Sequence, residues 1–115
     1  MLKFILIICL IPFTSNCQKI LFKNDTLIYQ HHKFFIGKDV RIGEGSASEH
    51  NFSYIFWGMY DEPANPIGVK WTNTIVEVEK IYEFAGKYYL KCHRNGVINK
   101  FHISLEDALN NNEIN

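Results

Sequence analysis

Between Thr74 and Ile103 the chain alternates apolar and polar residues with the two-residue period of half-buried β-strands, and turn-forming residues interrupt it twice. Thr74–Phe84 places Val76 and Val78 on one side and Glu77 and Glu79 on the other. Ala85-Gly86-Lys87 turns the chain into Tyr88–Arg94. Asn95-Gly96 follows, the pair that a type I′ turn selects because both of its central residues need positive φ. A two-residue loop there sets Arg94 opposite Val97, Cys92 opposite Asn99, Leu90 opposite Phe101 and Tyr88 opposite Ile103. Leu90, Cys92, Phe101 and Ile103 then share an apolar face, and Lys91, His93, Lys100 and His102 a polar one.

The upstream chain reads as shorter strands separated by breaks. Lys19–Phe22, Leu27–Tyr29, Phe34–Ile36 and Val40–Ile42 are β-prone, with Lys23–Thr26, Gly37-Lys38-Asp39 and Gly43–Ser46 between them. In Asn51–Trp57 the expected core face is Phe52, Tyr54 and Phe56, against Ser53, Ile55 and Trp57. Gly58 to Lys70 is a long connection opposed to regular structure by Pro63 and Pro66. Ser104 is a candidate N-cap, and Leu105, Ala108 and Leu109 form the apolar stripe of a short helix. The asparagine-rich end, Asn110–Asn115, reads as a frayed tail. The predicted fold is therefore mainly β, a small antiparallel open barrel or bent sheet with a short C-terminal helix. By strand count and size, an SH3-like barrel is the nearest architectural analogy.

The N-terminus reads as an export address. Lys3 precedes the ten-residue apolar run Phe4–Phe13, and Thr14–Cys17 turns polar. This is the layout of a signal peptide, and the run is too short for the roughly 20 residues that span a bilayer. The expectation is a signal peptide over residues 1–17 and a single small β domain over 18–115, in a chain too short for more than one ordinary domain. Ser15 and Cys17 permit cleavage before Gln18. Alternatively Cys17 is the lipid-modified first residue of a lipoprotein, although Thr14 and Asn16 stand where a lipobox has an aliphatic and a small residue. Cys92 lies within an alternating strand and reads as a small buried hydrophobe.

Charge and motifs limit the function classes. Twelve basic and twelve acidic residues balance, so the total supplies neither the basic surface that nucleic acid needs nor a charge-based reason to bind an anionic membrane. The predicted membrane link is only the candidate lipid anchor. His31 and His32 are neighbours, which an extended strand points to opposite faces, and the expected register separates His93 from His102, so no metal site is expected. No cofactor motif is present. Ser46, Ser48, Glu49 and His50 lie within one short turn, but sequence proximity does not build a triad, and a solvated turn is the plainer reading. Glu77, Glu79 and Glu83 read as the solvated face of one strand. Asn24-Asp25-Thr26 and Asn51-Phe52-Ser53 match the N-glycosylation tripeptide. The aromatics Trp57, Tyr60 and Trp71 flank the proline-containing connection. Exposed together they would stack on a sugar, a peptide or a partner protein; packed on each other the tryptophans would staple the loop.

Phe35–Val40, Ile42–Ser46, Phe52–Ile55 and Ile103–Leu109 with Glu113-Ile114 together resemble small exported bacterial proteins of the hypothetical or lipoprotein type. The resemblance implies a cell-envelope address and no particular activity. The expectation is an exported, non-catalytic module, periplasmic, extracellular or lipid-anchored, that binds a protein or glycan through Trp57, Tyr60 and Trp71. The alternatives are a small secreted hydrolase or inhibitor acting through His50, and a purely structural lipoprotein.

Overall fold

The computed structural model describes residues 20–115; the candidate signal segment and Cys17 lie outside them. The domain is mainly β. A three-stranded antiparallel meander comes first: β1 (Ile20–Lys23), β2 (Thr26–Tyr29) and β3 (His32–Phe35). Lys23 pairs with Thr26, and Asn24 and Asp25 between them hold φ 54° and 58°, so this two-residue turn is the primed type that matches strand twist.

The second sheet joins β4 (Asp39–Arg41), β5 (Ile55–Gly58), β6 (Ile75–Phe84), β7 (Lys87–His93) and β8 (Lys100–Ser104) in the antiparallel order β4-β6-β7-β8-β5. The two sheets do not close into a barrel. The Gly37 amide bonds Val78 O at 2.7 Å and the Val78 amide bonds Lys38 O at 2.9 Å, which ties the exit of the meander to β6. One apolar cluster joins both sheets. Leu27, Tyr29 and Phe34 meet Val76, Val78, Leu90, Cys92, Phe101 and Ile103 in it. Burial pushes the Cys92 thiol well up, as the reading of a buried hydrophobe expects.

The turns distribute differently from expectation. Ala85 and Gly86, at φ 52° and 81°, make the two-residue hairpin between β6 and β7. At Asn95-Gly96 only Gly96 has positive φ, 85°, and the Val97 amide bonds Arg94 O at 3.0 Å. Positive φ at the second central residue alone describes a type II turn, which splays flanking strands where type I′ would pair them. Pairing therefore starts further back, with Cys92 opposite Phe101 and Leu90 opposite Ile103, two residues from the expected register. A two-residue slip preserves side-chain parity, so the apolar and polar faces stand as expected.

Two further expectations are corrected. The strand after Asn51 begins only at Ile55, and its parity restarts there: Phe52 is buried as expected, but Ile55 is buried too, Tyr54 and Trp57 both pack half-buried on the core, and Phe56 is half-buried. The C-terminus is not frayed. After α1 (Leu105–Asn110), where Ser104 holds the N-cap position without a side-chain capping bond, Glu113 and Ile114 are buried and Ile114 bridges to Ile42. The Ser104 hydroxyl reaches the Asp107 carboxylate at 3.2 Å, and Lys87 Nζ donates to that carboxylate at 2.6 Å.

Candidate functional site

The proline-containing connection is anchored to β5. Ala64 N donates to Trp57 O and Trp57 N to Asn65 O, both at 2.7 Å, and Ile67 N donates to Ile55 O at 3.0 Å. This return fixes Trp57 against Trp71 at 5.2 Å between ring centroids, and each ring also meets Phe101, at 4.8 and 5.2 Å. The Lys70 ammonium sits 5.0 Å from the Trp71 ring centroid. The structure thus brings Trp57 and Trp71 together as a staple of the connection. Tyr60 stands apart from that pair, 80% exposed. Trp57 and Trp71 stay half-exposed around that contact, so of the three residues only Tyr60 is freely open.

The 46–50 turn is likewise organised from elsewhere. Glu113 accepts from Ser46 N (2.9 Å), Ser46 Oγ (2.6 Å), Ser53 N (2.8 Å) and Tyr54 N (2.9 Å). His50 faces Glu44 at 3.6 Å, both well exposed. The serine hydroxyl and the histidine therefore have different partners, and the Ser46 hydroxyl donates to a carboxylate already engaged by three backbone amides. At Gly45 a side chain would run into the carbonyl oxygens of His50 and Asn51. Gly45→Ala is expected to cost about 2 kcal/mol, since backbone rather than a rotatable side chain must yield. Urea unfolding checks it, and a midpoint equal to wild type would show that the turn can open at no cost.

The polar side of the five-stranded sheet is an ion-pair network. Asp61, from the connection, contacts Lys80 and accepts from Lys91 at 3.1 Å; these two lysines hold its carboxyl below the usual range. Glu79 accepts from Lys100 at 3.0 Å and faces His93 Nδ1 at 3.1 Å; these partners together outweigh its burial and lower its pKa. Under this layer His102 is fully buried, with Nδ1 2.6 Å from the Tyr82 hydroxyl and Nε2 3.0 Å from Gly58 O. Burial pushes the Tyr82 phenol well up and the His102 imidazole down. A carbonyl can only accept, so Nε2 carries the proton and Tyr82 donates to Nδ1. Every polar atom of that ring is occupied, which makes it a cross-link between β6, β8 and the end of β5.

Among the described residues, the outer side of the meander gathers several exposed apolar side chains on one sheet face. Register places Leu21 opposite Ile28, Lys23 opposite Thr26, Ile28 opposite Lys33 and Thr26 opposite Phe35, so these six residues share one face. Leu27, Tyr29 and Phe34 occupy the other face and are buried. On the outer side Leu21 is 59% exposed, Ile28 39% and Phe35 38%. Leu21, Phe22, Lys23, Thr26 and Ile28 line a hollow of about 380 Å³. Sequence reasoning did not single this face out, yet a signal was there. Ile20-Leu21-Phe22, Leu27-Ile28-Tyr29 and Phe34-Phe35-Ile36 are unbroken apolar runs, the pattern of strands covered on both faces. Here one face is covered and the other is open.

Comparison with protein-family models, with curated proteins and with solved structures finds no match for this chain.

Proposed function

We propose that this chain is exported and serves the cell envelope as a non-catalytic module that docks through the outer face of its meander. One observation carries the reading: on the outer face of the meander Leu21 and Ile28 lie exposed opposite each other, and Phe35 lies exposed diagonal to Ile28 on the third strand. Contiguous apolar surface is costly in water and marks a contact surface when it persists in a folded domain. Its place in the chain supports the same reading, since β1 begins three residues after Cys17, at the end of the candidate export segment. Tyr60, exposed beyond the tryptophan staple, is the remaining aromatic contact for a protein or glycan partner.

Two measurements test this. The intact mass of the cellular protein is expected to correspond to a chain beginning at Gln18, or to one acylated at Cys17; a chain retaining Met1 would overturn the export reading. A photo-crosslinking residue at position 28 is expected to give severalfold more adduct in cells than the same residue at exposed position 83. Equal adduct at the two positions would remove the meander as the docking face.

A further inference from the structure

Resting on that docking reading, we infer that the surface the meander fits is an anionic lipid headgroup layer. The neutral total charge conceals a partition. Residues 20–38 hold Lys23, Lys33 and Lys38 against Asp25, a net of +2, whereas residues 39–115 hold seven basic and eleven acidic residues, a net of −4. An anionic surface repels the body of the domain and attracts the meander, so it selects this end for approach.

The face itself has the chemistry of an interfacial surface. Lys23 and Lys33 stand in register among Leu21, Ile28 and Phe35, and none of the six outward positions is a carboxylate. Lys38 adds a third ammonium at the margin, 5.4 Å from the Phe34 ring centroid and 5.6 Å from that of Phe35. Lysine stems lie along apolar surface while their heads reach phosphate, and the apolar side chains enter the boundary between headgroups and acyl chains.

Size favours lipid over protein. Three strands of four residues cover about 200 Å² at ordinary strand rise and spacing. A stable protein interface takes about 800 Å² from each partner and a complementary shape. A lipid surface requires neither. An acyl chain on Cys17 would enter the bilayer three residues ahead of β1 and hold the meander close to the headgroups.

The test uses residues 18–115 made without the leader, because every described strand and the whole core lie within residues 20–115. Sedimentation with vesicles of equal phosphatidylglycerol and phosphatidylcholine is compared with phosphatidylcholine alone. The expected result is at least about tenfold more bound protein on the anionic vesicles, released when salt rises from about 0.05 to 0.5 M. Lys23→Glu with Lys33→Glu is expected to weaken binding by about fivefold per lysine or more. Leu21→Ser with Ile28→Thr and Phe35→Ser is expected to lose binding even at low salt, while Lys70→Glu on the body retains it. Circular dichroism confirms that each variant is folded. Equal binding to both vesicle types, no binding to either, or no response to the meander variants would overturn the lipid assignment. Adducts from position 28 to a protein in cells would then leave the docking reading standing, and their absence as well would end both.

Discussion

Replacing Glu113 by Ala is expected to remove about 4 kcal/mol of stability and to lower the melting temperature by at least about 15 °C. The carboxylate is fully buried and accepts four hydrogen bonds, from Ser46 N, Ser46 Oγ, Ser53 N and Tyr54 N. Truncation leaves three backbone amides without their acceptor, and each buried unsatisfied donor costs about 1–3 kcal/mol. A domain of this size has about 5–10 kcal/mol in total, and 1 kcal/mol moves its midpoint by about 4–8 °C. Neighbouring backbone contacts raise the stakes: Gly43 N donates to Glu113 O at 2.7 Å and Asn115 N to Arg41 O at 3.0 Å. When the carboxylate leaves, the C-terminal segment loses its side-chain anchor to Ser46, Ser53 and Tyr54 and keeps only its backbone bond to Gly43 on that stretch.

Companion variants separate the charge from the packing. Glu113→Gln retains the volume and, with its amide oxygen at the Oε2 place, keeps the bonds from Ser46 N, Ser46 Oγ and Ser53 N; its NH₂ then meets only the Tyr54 amide, itself a donor, so it is expected to cost about 2 kcal/mol, less than the alanine. Ser46→Ala removes one donor of the four and is expected to cost about 1 kcal/mol. Thermal unfolding of the three variants should rank them in that order. A midpoint for Glu113→Ala within about 3 °C of wild type would mean that water replaces the carboxylate and that Ile114 and the backbone hydrogen bonds hold the C-terminal segment without it.

Glu113 also marks where sequence reading stops. Alternation in Thr74–Ile103 is a local property, and it carried the strands, their faces and the hairpin at Ala85-Gly86, because side-chain parity survives errors in loop length. The helix at Leu105–Asn110 was legible for the same reason, through a cap and a stripe. The tail Asn110–Asn115 looked frayed because its composition is polar, and the donors that order it lie 59 to 67 residues away. The same holds for the Asn51–Trp57 parity. Ser53 and Tyr54 donate to Glu113 instead of entering a strand, so the alternation restarts at Ile55.

The open outer face of the meander was hidden by a different cause. Runs such as Leu27-Ile28-Tyr29 state that both faces are apolar, but they do not state which face the rest of the chain covers. The tryptophans illustrate the converse. Trp57 and Trp71 flank a polar connection and so looked available, but they pack half-buried on each other and on the core residue Phe101, thirty residues or more along the chain.

Acidification from pH 7.5 to 5 is expected to destabilise the domain, and His102 is the group expected to set that slope. Burial disfavours its imidazolium, and the neighbouring Lys91 ammonium acts in the same direction. Gly58 O, Asp61 and Glu79 favour the charged form, but the net direction is downward from 6.5. Tyr82, whose hydroxyl donates to Nδ1, would lose its acceptor if that nitrogen were protonated. The sign follows from linkage. The unfolded chain takes up the proton as pH falls through about 6.5, and the native state takes it up only at lower pH. This contribution is therefore fully present above about 7 and is lost as pH falls between those two values, with a slope of at most about 1.4 kcal/mol per pH unit. Asp61 and Glu79 have lowered values, so their contributions are present above the ordinary carboxylate range of about 4 and are lost only below it. His102→Gln retains a donor for Gly58 O and an acceptor for the Tyr82 hydroxyl while removing the titration. It is expected to cost about 1–2 kcal/mol at pH 7.5 and to flatten the profile between pH 7 and 5. His102→Ala leaves the Tyr82 hydroxyl and Gly58 O unpaired around a cavity and is expected to cost about 3–4 kcal/mol. Chemical denaturation of the three proteins across that pH range checks both the cost and the slope. An unchanged slope in His102→Gln would assign the titration to another group and leave His102 as a cross-link that pH does not reach.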